Sequence, residues 1–213
     1  MRRLLAGLAV AFVVGAHVSP LAHWADTRSF AAHMAQHLVV GDLAPLALVL
    51  ALRGVYLGPA LSPALTFPAW LANLYLWHVP VLYEGALHHV GVHALQHVAL
   101  FSAGVLLWAP VFELIRTPPW FGDGARLAYL VLIMFAGVVL GAVFLWWPHA
   151  IYSTYAHGGG FAELSPHGDQ RAGGGLMLLE GSVVTFAVAA WIVWRIFRAD
   201  EVTRAEADVS PSP

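Results

Sequence analysis

The stretch Leu127–Trp147 has the sequence LAYLVLIMFAGVVLGAVFLWW and contains no charged residue. A helix needs about 20 mostly apolar residues to cross a bilayer, so this stretch predicts a membrane span. In lipid such a segment must be helical, because open backbone groups find no hydrogen-bond partner there. Five further stretches are similar in length and mostly apolar: Leu4–Ala22, Met34–Leu52, Leu65–Leu82, Leu95–Ile115 and Leu176–Trp194. The sequence therefore predicts an all-α fold, a polytopic transmembrane helical bundle of about six spans.

The composition agrees with a protein whose main surroundings are a lipid bilayer. Hydrophobic residues make up 60% of the chain and charged residues 10%, whereas a soluble domain carries about a quarter charged residues. The net charge of -2 offers no basic face, so we expect no nucleic-acid partner. The chain has no cysteine and no lysine, which excludes disulfides, cysteine-based metal sites, P-loops and Schiff-base chemistry.

The distribution of arginine predicts the orientation of the bundle. If the N-terminus is cytoplasmic, Arg28 and Arg171 lie outside and the other eight arginines lie inside. This positive-inside bias predicts that both termini are cytoplasmic. The first span has an alternative interpretation: Arg2 and Arg3 precede an apolar stretch followed by small residues, so Leu4–Ala22 is either a retained span or a signal peptide.

Two segments outside the predicted spans have distinctive compositions. Residues 1–198 are predicted to form a single integral membrane domain, followed by an acidic, disordered cytoplasmic tail over Ala199–Pro213. The outer loop His149–Gly175 contains the glycine runs Gly158–Gly160 and Gly173–Gly175. We expect this loop to be a flexible connector or a functional lid, since it is longer than most loops.

The twelve histidines all fall on the outer side of this topology. His33 and His37 are four residues apart, and so are His93 and His97, which places each pair on one face of a helix. The second member of each pair lies about 6 Å deeper than the first, so we expect the pairs at matched depth, with the rings of His37 and His97 within about 10 Å. Each pair is then either a chelating site or a set of ordinary interfacial side chains.

The segments around the pairs also resemble each other. His33-Met34-Ala35-Gln36-His37 parallels His93-Ala94-Leu95-Gln96-His97, and both segments enter the membrane from the outside. This pattern predicts a parallel repeat with a site between its two copies. The predicted metal ligands are His33, His37, His78, His93 and His97.

Other polar and sulfur-containing side chains accompany the histidines. Asp42 and Glu180 lie inside predicted spans, where carboxylates are costly and usually functional, so we expect a supporting or proton-accepting role. Met34, Met177 and Asp169 are possible auxiliary ligands. A set of imidazole and thioether donors suits copper better than hard cations.

Several blocks in order resemble those of the multi-span CtaG-type cytochrome c oxidase assembly factors. The blocks are His33-Met34-x-x-His37 with Asp42-Leu43-Ala44-Pro45-Leu46, Leu76-Trp77-His78-Val79-Pro80, His93-x-Leu95-Gln96-His97, Tyr152-x-x-Tyr155, and Ser165-Pro166-x-x-Asp169-Gln170. The resemblance covers roughly residues 30–180. It implies a multi-pass protein of the bacterial plasma membrane, without catalysis of its own. Its implied partners are the subunits of the copper-containing oxidase, to which it would help deliver copper.

Two other functions remain open at the level of the sequence. His37 and His97 at one depth are an arrangement found for the axial ligands of haem, as in membrane cytochromes of the b type. Asp42 and Glu180, together with the histidines, are also the kind of intramembrane groups that proton-coupled transporters use.

Overall fold

The computed structural model describes residues 1–55, 62–156 and 163–209 of the chain. These residues form helices and connecting turns, with no β-strand among them, which confirms the all-α prediction. The elements are α1 Arg2–Val18, α2 Pro20–Thr27, α3 Phe30–Leu38, a π-helix Val39–Leu43, α4 Ala44–Ala51, α5 Pro63–Leu76, α6 Pro80–His88, α7 Val90–Trp108, α8 Asp123–Trp146, a 3₁₀ turn Ser153–Tyr155, and α9 Pro166–Val209.

Four helical segments in the described ranges are long and apolar enough to cross a membrane: Phe30–Ala51, Val90–Trp108, Asp123–Trp146 and Pro166–Glu201. The first consists of α3, the π-helix and α4 in one continuous run. Helices α1 and α2 give a fifth if they form one span, although they meet at a bend of 53°. The structure thus confirms a polytopic helical protein, with four to five candidate spans where the sequence analysis predicts six.

The predicted span Leu65–Leu82 is not one continuous helix. Helix α5 has 14 residues and ends at Leu76, a length of about 21 Å, which is shorter than the hydrocarbon core. Pro80 then begins α6, and Val79 before it is extended, as the steric effect of proline on the preceding residue requires. The break places His78 between two helices, so a continuing helix does not set the direction of its side chain.

The C-terminal part of the predicted loop His149–Gly175 is helical, because α9 begins at Pro166. The second glycine run serves close packing. A Cβ on Gly173 would lie 2.5 Å from the ring of Phe30, and one on Gly174 would lie 2.7 Å from the carbonyl oxygen of Gly141. The flexible-connector interpretation is therefore wrong for Gly173–Gly175, while the first run, 158–160, lies outside the described residues. Helix α9 continues to Val209 and overlaps the predicted tail.

Close helix contacts set the geometry of the bundle. Helices α8 and α9 are antiparallel, since Gly141 contacts Gly174 near one end and Asp123 pairs with Arg195 near the other. Helices α3 and α7 run side by side in the same direction, because their first histidines contact each other and so do their second ones. This agrees with the parallel repeat that the sequence predicts, and it brings two histidine-bearing faces together.

Candidate metal centre

The five predicted histidine ligands lie together in one cluster, called here the histidine cluster. Within α3 and α7 the ring centroids of the i, i+4 pairs are 4.2 Å apart for His33 and His37 and 4.3 Å apart for His93 and His97. Between the helices, the centroid distance is 5.9 Å for His33 and His93 and 5.5 Å for His37 and His97. His78, from the break between α5 and α6, lies 6.1 Å from His37. The predicted approach of the His37 and His97 rings is therefore confirmed.

Most of this cluster is withdrawn from the surface. His33 is fully buried, and His37, His78 and His97 are between 6% and 8% exposed. His93 is more open, with 20% of its side chain exposed. Buried imidazole nitrogens are costly unless they have partners, so the hydrogen bonds of each ring decide what the cluster can bind.

Backbone carbonyls assign the tautomers of two of the rings. Nδ1 of His33 lies 3.2 Å from the carbonyl oxygen of Ala25, and Nδ1 of His78 lies 2.6 Å from that of Leu74. A carbonyl only accepts, so each Nδ1 carries the proton and donates it, and each Nε2 keeps its lone pair. The lone pairs of His33 and His78 are thus on the nitrogen that faces away from the backbone.

A hydrogen bond to another histidine, His17, assigns the tautomer of His97. Nδ1 of His17 lies 2.7 Å from the carbonyl oxygen of Val13 and therefore donates to it, which leaves Nε2 of His17 as an acceptor. That acceptor lies 2.7 Å from Nδ1 of His97. The Nδ1 of His97 is then the donor of this contact, and its Nε2 also keeps a lone pair.

The nitrogens left over have no partner within the described parts of the chain. They are Nε2 of His33, His78, His93 and His97, and both ring nitrogens of His37, all buried. Three of them carry assigned lone pairs, and a lone pair needs a donor or a cation. The cluster therefore contains at least three buried acceptors without a partner, which a positively charged metal ion would satisfy.

The cluster does not already have the geometry of a coordination sphere. Among the described residues, no group of three or more His, Asp or Glu side chains is arranged to hold a metal ion as it stands. Metal binding requires the imidazole rings to turn about their side-chain bonds. His37 is free to do so as far as hydrogen bonds are concerned, since no hydrogen bond within residues 1–55, 62–156 and 163–209 holds its ring.

Three tyrosines cover one side of the histidine cluster. The ring of Tyr83 lies 4.9 Å from His33 and stacks on Tyr152 at 3.9 Å. The Tyr152 hydroxyl donates to the carbonyl oxygen of His78 at 2.8 Å, and that of Tyr155 donates to Ala25 at 2.7 Å. Burial raises the pKa of the Tyr152 and Tyr155 hydroxyls, so both stay protonated and able to donate.

Glu84, on α6, is hydrogen-bonded to the segment that carries Tyr152 and Tyr155. Its carboxylate accepts hydrogen bonds from the hydroxyl of Ser153 at 2.7 Å and from the backbone N–H groups of Ser153 and Thr154. The side-chain bond from Ser153 lowers the pKa of Glu84 below its ordinary value, with the backbone bonds adding to the effect. The segment that carries Tyr152 and Tyr155 is thus tied to α6 by a charge-assisted contact.

A cavity of ≈ 100 Å³ adjoins the cluster, and it contains several of the other predicted residues. Met34, His37, His78, Met177, Asp42 and Glu180 line it. Nε1 of Trp108 donates a hydrogen bond to Oδ1 of Asp42 at 2.5 Å, whereas Oε1 of Glu180 is buried without a hydrogen-bond partner in the described residues. The sulfur and carboxyl groups expected near the site are therefore next to two of its histidines.

Comparison with known proteins places the chain in a family. A family model described as cytochrome c oxidase caa3 assembly factor (Caa3_CtaG) matches residues 1–199. The chain belongs to this family. No curated protein and no solved structure matches the chain. The CtaG-type match contains every residue of the histidine cluster and extends through α1 and α2 as well.

In this CtaG-type protein, Asp169 has a role other than the auxiliary ligand that the sequence predicts. Its Oδ1 accepts a hydrogen bond from the hydroxyl of Ser29 at 2.7 Å, and its Oδ2 accepts one from the backbone N–H of Phe30 at 2.6 Å. Asp169 is fully enclosed there, 1% exposed. Its carboxylate satisfies the N-terminus of α3, where a negative charge is favourable, so both oxygens are already in use.

Two residues near the site escape prediction from the sequence. His17 lies on α1 and Asp26 on α2, each outside the spaced pairs that single out the other ligands. Asp26 Oδ1 lies 3.6 Å from Nε2 of His93. Only the folding of α1 and α2 against α3 and α7 reveals these contacts, because nothing in local spacing links position 17 to 97 or 26 to 93.

Proposed function

We propose that this protein handles copper during the maturation of cytochrome c oxidase, with the histidine cluster as its copper site. Membership of the CtaG-type family supports the role in oxidase assembly. The observation that carries the copper site is the set of buried, unpartnered ring nitrogens, several with lone pairs assigned by their hydrogen bonds. Copper is the cargo in this role, and the protein transfers it without catalysing a reaction.

The donor set favours copper among the candidate metals. Imidazole binds copper and zinc well, whereas thioether sulfur favours Cu(I). Met34 and Met177 line the cavity next to His37 and His78, so a metal ion in the cluster has sulfur within reach of a small shift. Asp42 and Glu180 lie in the same cavity. We assign them a supporting or proton-accepting role, since carboxylates inside a membrane are costly and usually functional.

The cellular setting follows from the family and from the sequence. We place the protein in the bacterial plasma membrane with both termini in the cytoplasm and the histidine cluster on the outer side. The arginine distribution supports this orientation. The partners in this setting are the oxidase subunits that receive the metal ion.

Neither alternative function has a specific observation in its favour. For a haem between His37 and His97, the two rings would have to stand on opposite faces of a porphyrin. In the structure they contact each other edge to face at 5.5 Å, which leaves no room for a porphyrin between them. The transporter alternative has no support from the family match.

The test compares two double variants of the full-length protein purified in detergent. His33→Ala/His37→Ala removes two donors from adjacent turns of α3, whereas His88→Ala/His89→Ala removes two exposed histidines as a matched control. We expect the wild type and the control to bind Cu(I), and the first variant to bind it at least about 100-fold more weakly, beyond the loss typical of supporting residues.

The same variants are then tested in cells that lack the native protein. The first should give low oxidase activity although it accumulates in the membrane and the oxidase subunits are made, and the control should restore activity. Wild-type protein that binds no Cu(I), or a His33/His37 variant that binds it as tightly as the control, would overturn the copper proposal.

A further inference from the structure

We propose that Asp26 and His93 form a separate outer site for a divalent transition-metal ion, next to the histidine cluster. This inference rests on the proposed function, and it adds a second metal site of different donor atoms to it. The site lies where α2 meets the first turn of α7.

The distance between the two side chains allows them to share a metal ion. Oδ1 of Asp26 and Nε2 of His93 are 3.6 Å apart, within ion-pair distance but too long for a good hydrogen bond. Both atoms are buried and have no hydrogen-bond partner in the described chain. Two metal–ligand bonds of about 2.1 Å at a near-tetrahedral angle span about 3.4–3.6 Å, so an ion between these atoms needs little movement of either.

A second cavity, of ≈ 570 Å³, gives access to this pair. Its lining includes Asp26, His93, His97, His17 and Gln36. Three of its polar atoms besides the carboxylate oxygen are buried without a partner in the residues described, namely Nε2 of His93, Nε2 of His97 and Oε1 of Gln36. His97 and Gln36 are themselves 7% and 1% exposed. Nε2 of His97, whose lone pair is assigned, and the amide oxygen Oε1 of Gln36 are acceptors, so the cavity contains unsatisfied acceptors for a cation.

Exposure falls along a continuous path from this cavity into the cluster. The side chain of Asp26 is 41% exposed and that of His93 20%, while His97 and His37 are 7% and 6% exposed. The rings along the path touch, with centroids 4.3 Å apart for His93 and His97 and 5.5 Å for His97 and His37. His37 in turn borders the methionine-lined cavity of ≈ 100 Å³. The order Asp26, His93, His97, His37 therefore leads inward.

The donor atoms change along this path from hard to soft. Asp26 contributes a carboxylate oxygen, which favours divalent ions such as Cu(II) and Zn(II), and its negative charge attracts any cation. The inner cluster contributes imidazole, with the thioethers of Met34 and Met177 nearby, a set that suits Cu(I). The outer pair thus differs from the inner cluster in its donor atoms, and its mixed oxygen–nitrogen ligation makes the two sites separable by spectroscopy.

The experiment makes two measurements on the purified full-length protein. One sample is titrated with Zn(II), and a separate sample receives Cu(II) for electron paramagnetic resonance spectroscopy. Asp26→Asn keeps the shape of the side chain and removes its charge; Asp26→Glu restores the carboxylate; Glu201→Gln removes an exposed carboxylate on α9 as a control. We expect Asp26→Asn to bind Zn(II) at least about tenfold more weakly and to lose the Cu(II) signal of a mixed oxygen–nitrogen site. Asp26→Glu should recover most of both, and Glu201→Gln should match the wild type.

A Cu(I) titration of the same variants separates this inference from the proposed function. Asp26→Asn should keep its equilibrium affinity for Cu(I), whereas His33→Ala/His37→Ala should lose it and keep the Zn(II) site. Unchanged Zn(II) binding in a folded Asp26→Asn protein would overturn the outer site and leave the inner copper site standing. Wild type that binds Zn(II) through Asp26 and no Cu(I) would overturn the proposed function instead.

Discussion

The backbone carbonyl oxygen of Gly41 packs directly against the Cα of Gly104, and this contact sets how closely the two histidine-bearing helices approach. A Cβ on Gly104 would lie 2.1 Å from that oxygen and 2.7 Å from the ring of Pro45. Small residues allow such close contact between helices in membranes. Gly41 belongs to the π-helix that follows His37, a local distortion of a kind common at functional sites.

Gly104→Ala should therefore push the two helices apart and destabilise the protein. Because neither backbone atom can move away easily, we expect a loss of about 1–3 kcal/mol, as for other overpacked interiors, and weaker Cu(I) binding. Gly7→Ala is the control, since a Cβ there, on α1, meets nothing within 4 Å. Thermal unfolding in detergent measures the effect; equal melting temperatures for the two variants would contradict the role assigned to this contact.

His17→Ala should weaken Cu(I) binding without changing its stoichiometry. His17 accepts the hydrogen bond from Nδ1 of His97, and the loss of a partner that orients a ligand typically costs 10- to 100-fold in affinity, so we expect a decrease of about that size. His17→Gln offers an amide oxygen as a replacement acceptor and should recover part of the loss. The exposed His23 provides the control, His23→Ala. A His17→Ala protein with wild-type affinity would show that His97 needs no such support.

Asp169→Asn should lower stability and leave the number of bound copper ions unchanged. The carboxylate holds Ser29 and the first N–H of α3, and hydrogen bonds to a charged group are each worth about 1.5–3 kcal/mol. We expect a loss of stability in this range, measured by thermal unfolding without metal. Ser29→Ala should have a smaller effect in the same direction. A loss of one bound metal ion in Asp169→Asn would instead restore the ligand role that the sequence suggests.

Glu84 should make the tyrosine cover sensitive to acid. Its pKa is lowered in the folded protein by the hydrogen bond from Ser153. A lowered pKa means that the stabilisation is fully present above the ordinary value of 4.5, and that it is lost as the pH falls through the folded-state value. Melting temperatures between about pH 3 and 7 should fall less steeply towards acid in Glu84→Gln than in the wild type. Parallel curves for the two proteins would exclude this contribution.

The parts of the structure that local sequence determines were predictable. An apolar run such as Asp123–Trp146 must be helical in a membrane whatever its neighbours are, because only the helix satisfies its backbone. The spacing of His33 and His37 places them on one face for the same local reason. The repeat of this spacing at His93 and His97 was enough to predict that the two pairs meet, and they do.

Average hydropathy and composition gave wrong predictions for two segments, Leu65–Leu82 and Gly173–Gly175, where local geometry decides the structure. The stretch Leu65–Leu82 is mostly apolar, yet the helix ends before Pro80, and the break is what allows His78 to face His37. Gly173–Gly175 has the composition of a flexible loop, yet the run is helical, because its missing side chains make room for Phe30 and Gly141.

By itself the sequence determined that this protein is helical, belongs in a membrane and carries two matched histidine pairs, since apolar length and the helical period are properties of neighbouring residues. Only the tertiary structure decided which ring nitrogens of the histidine cluster are left without a hydrogen-bond partner. Nδ1 of His97 donates its hydrogen bond to His17, which is 80 residues away. The carboxylate of Asp169 accepts a hydrogen bond from the backbone N–H of Phe30 at the start of α3, 139 residues away. Such hydrogen bonds join segments distant in the chain, so no local pattern contains them.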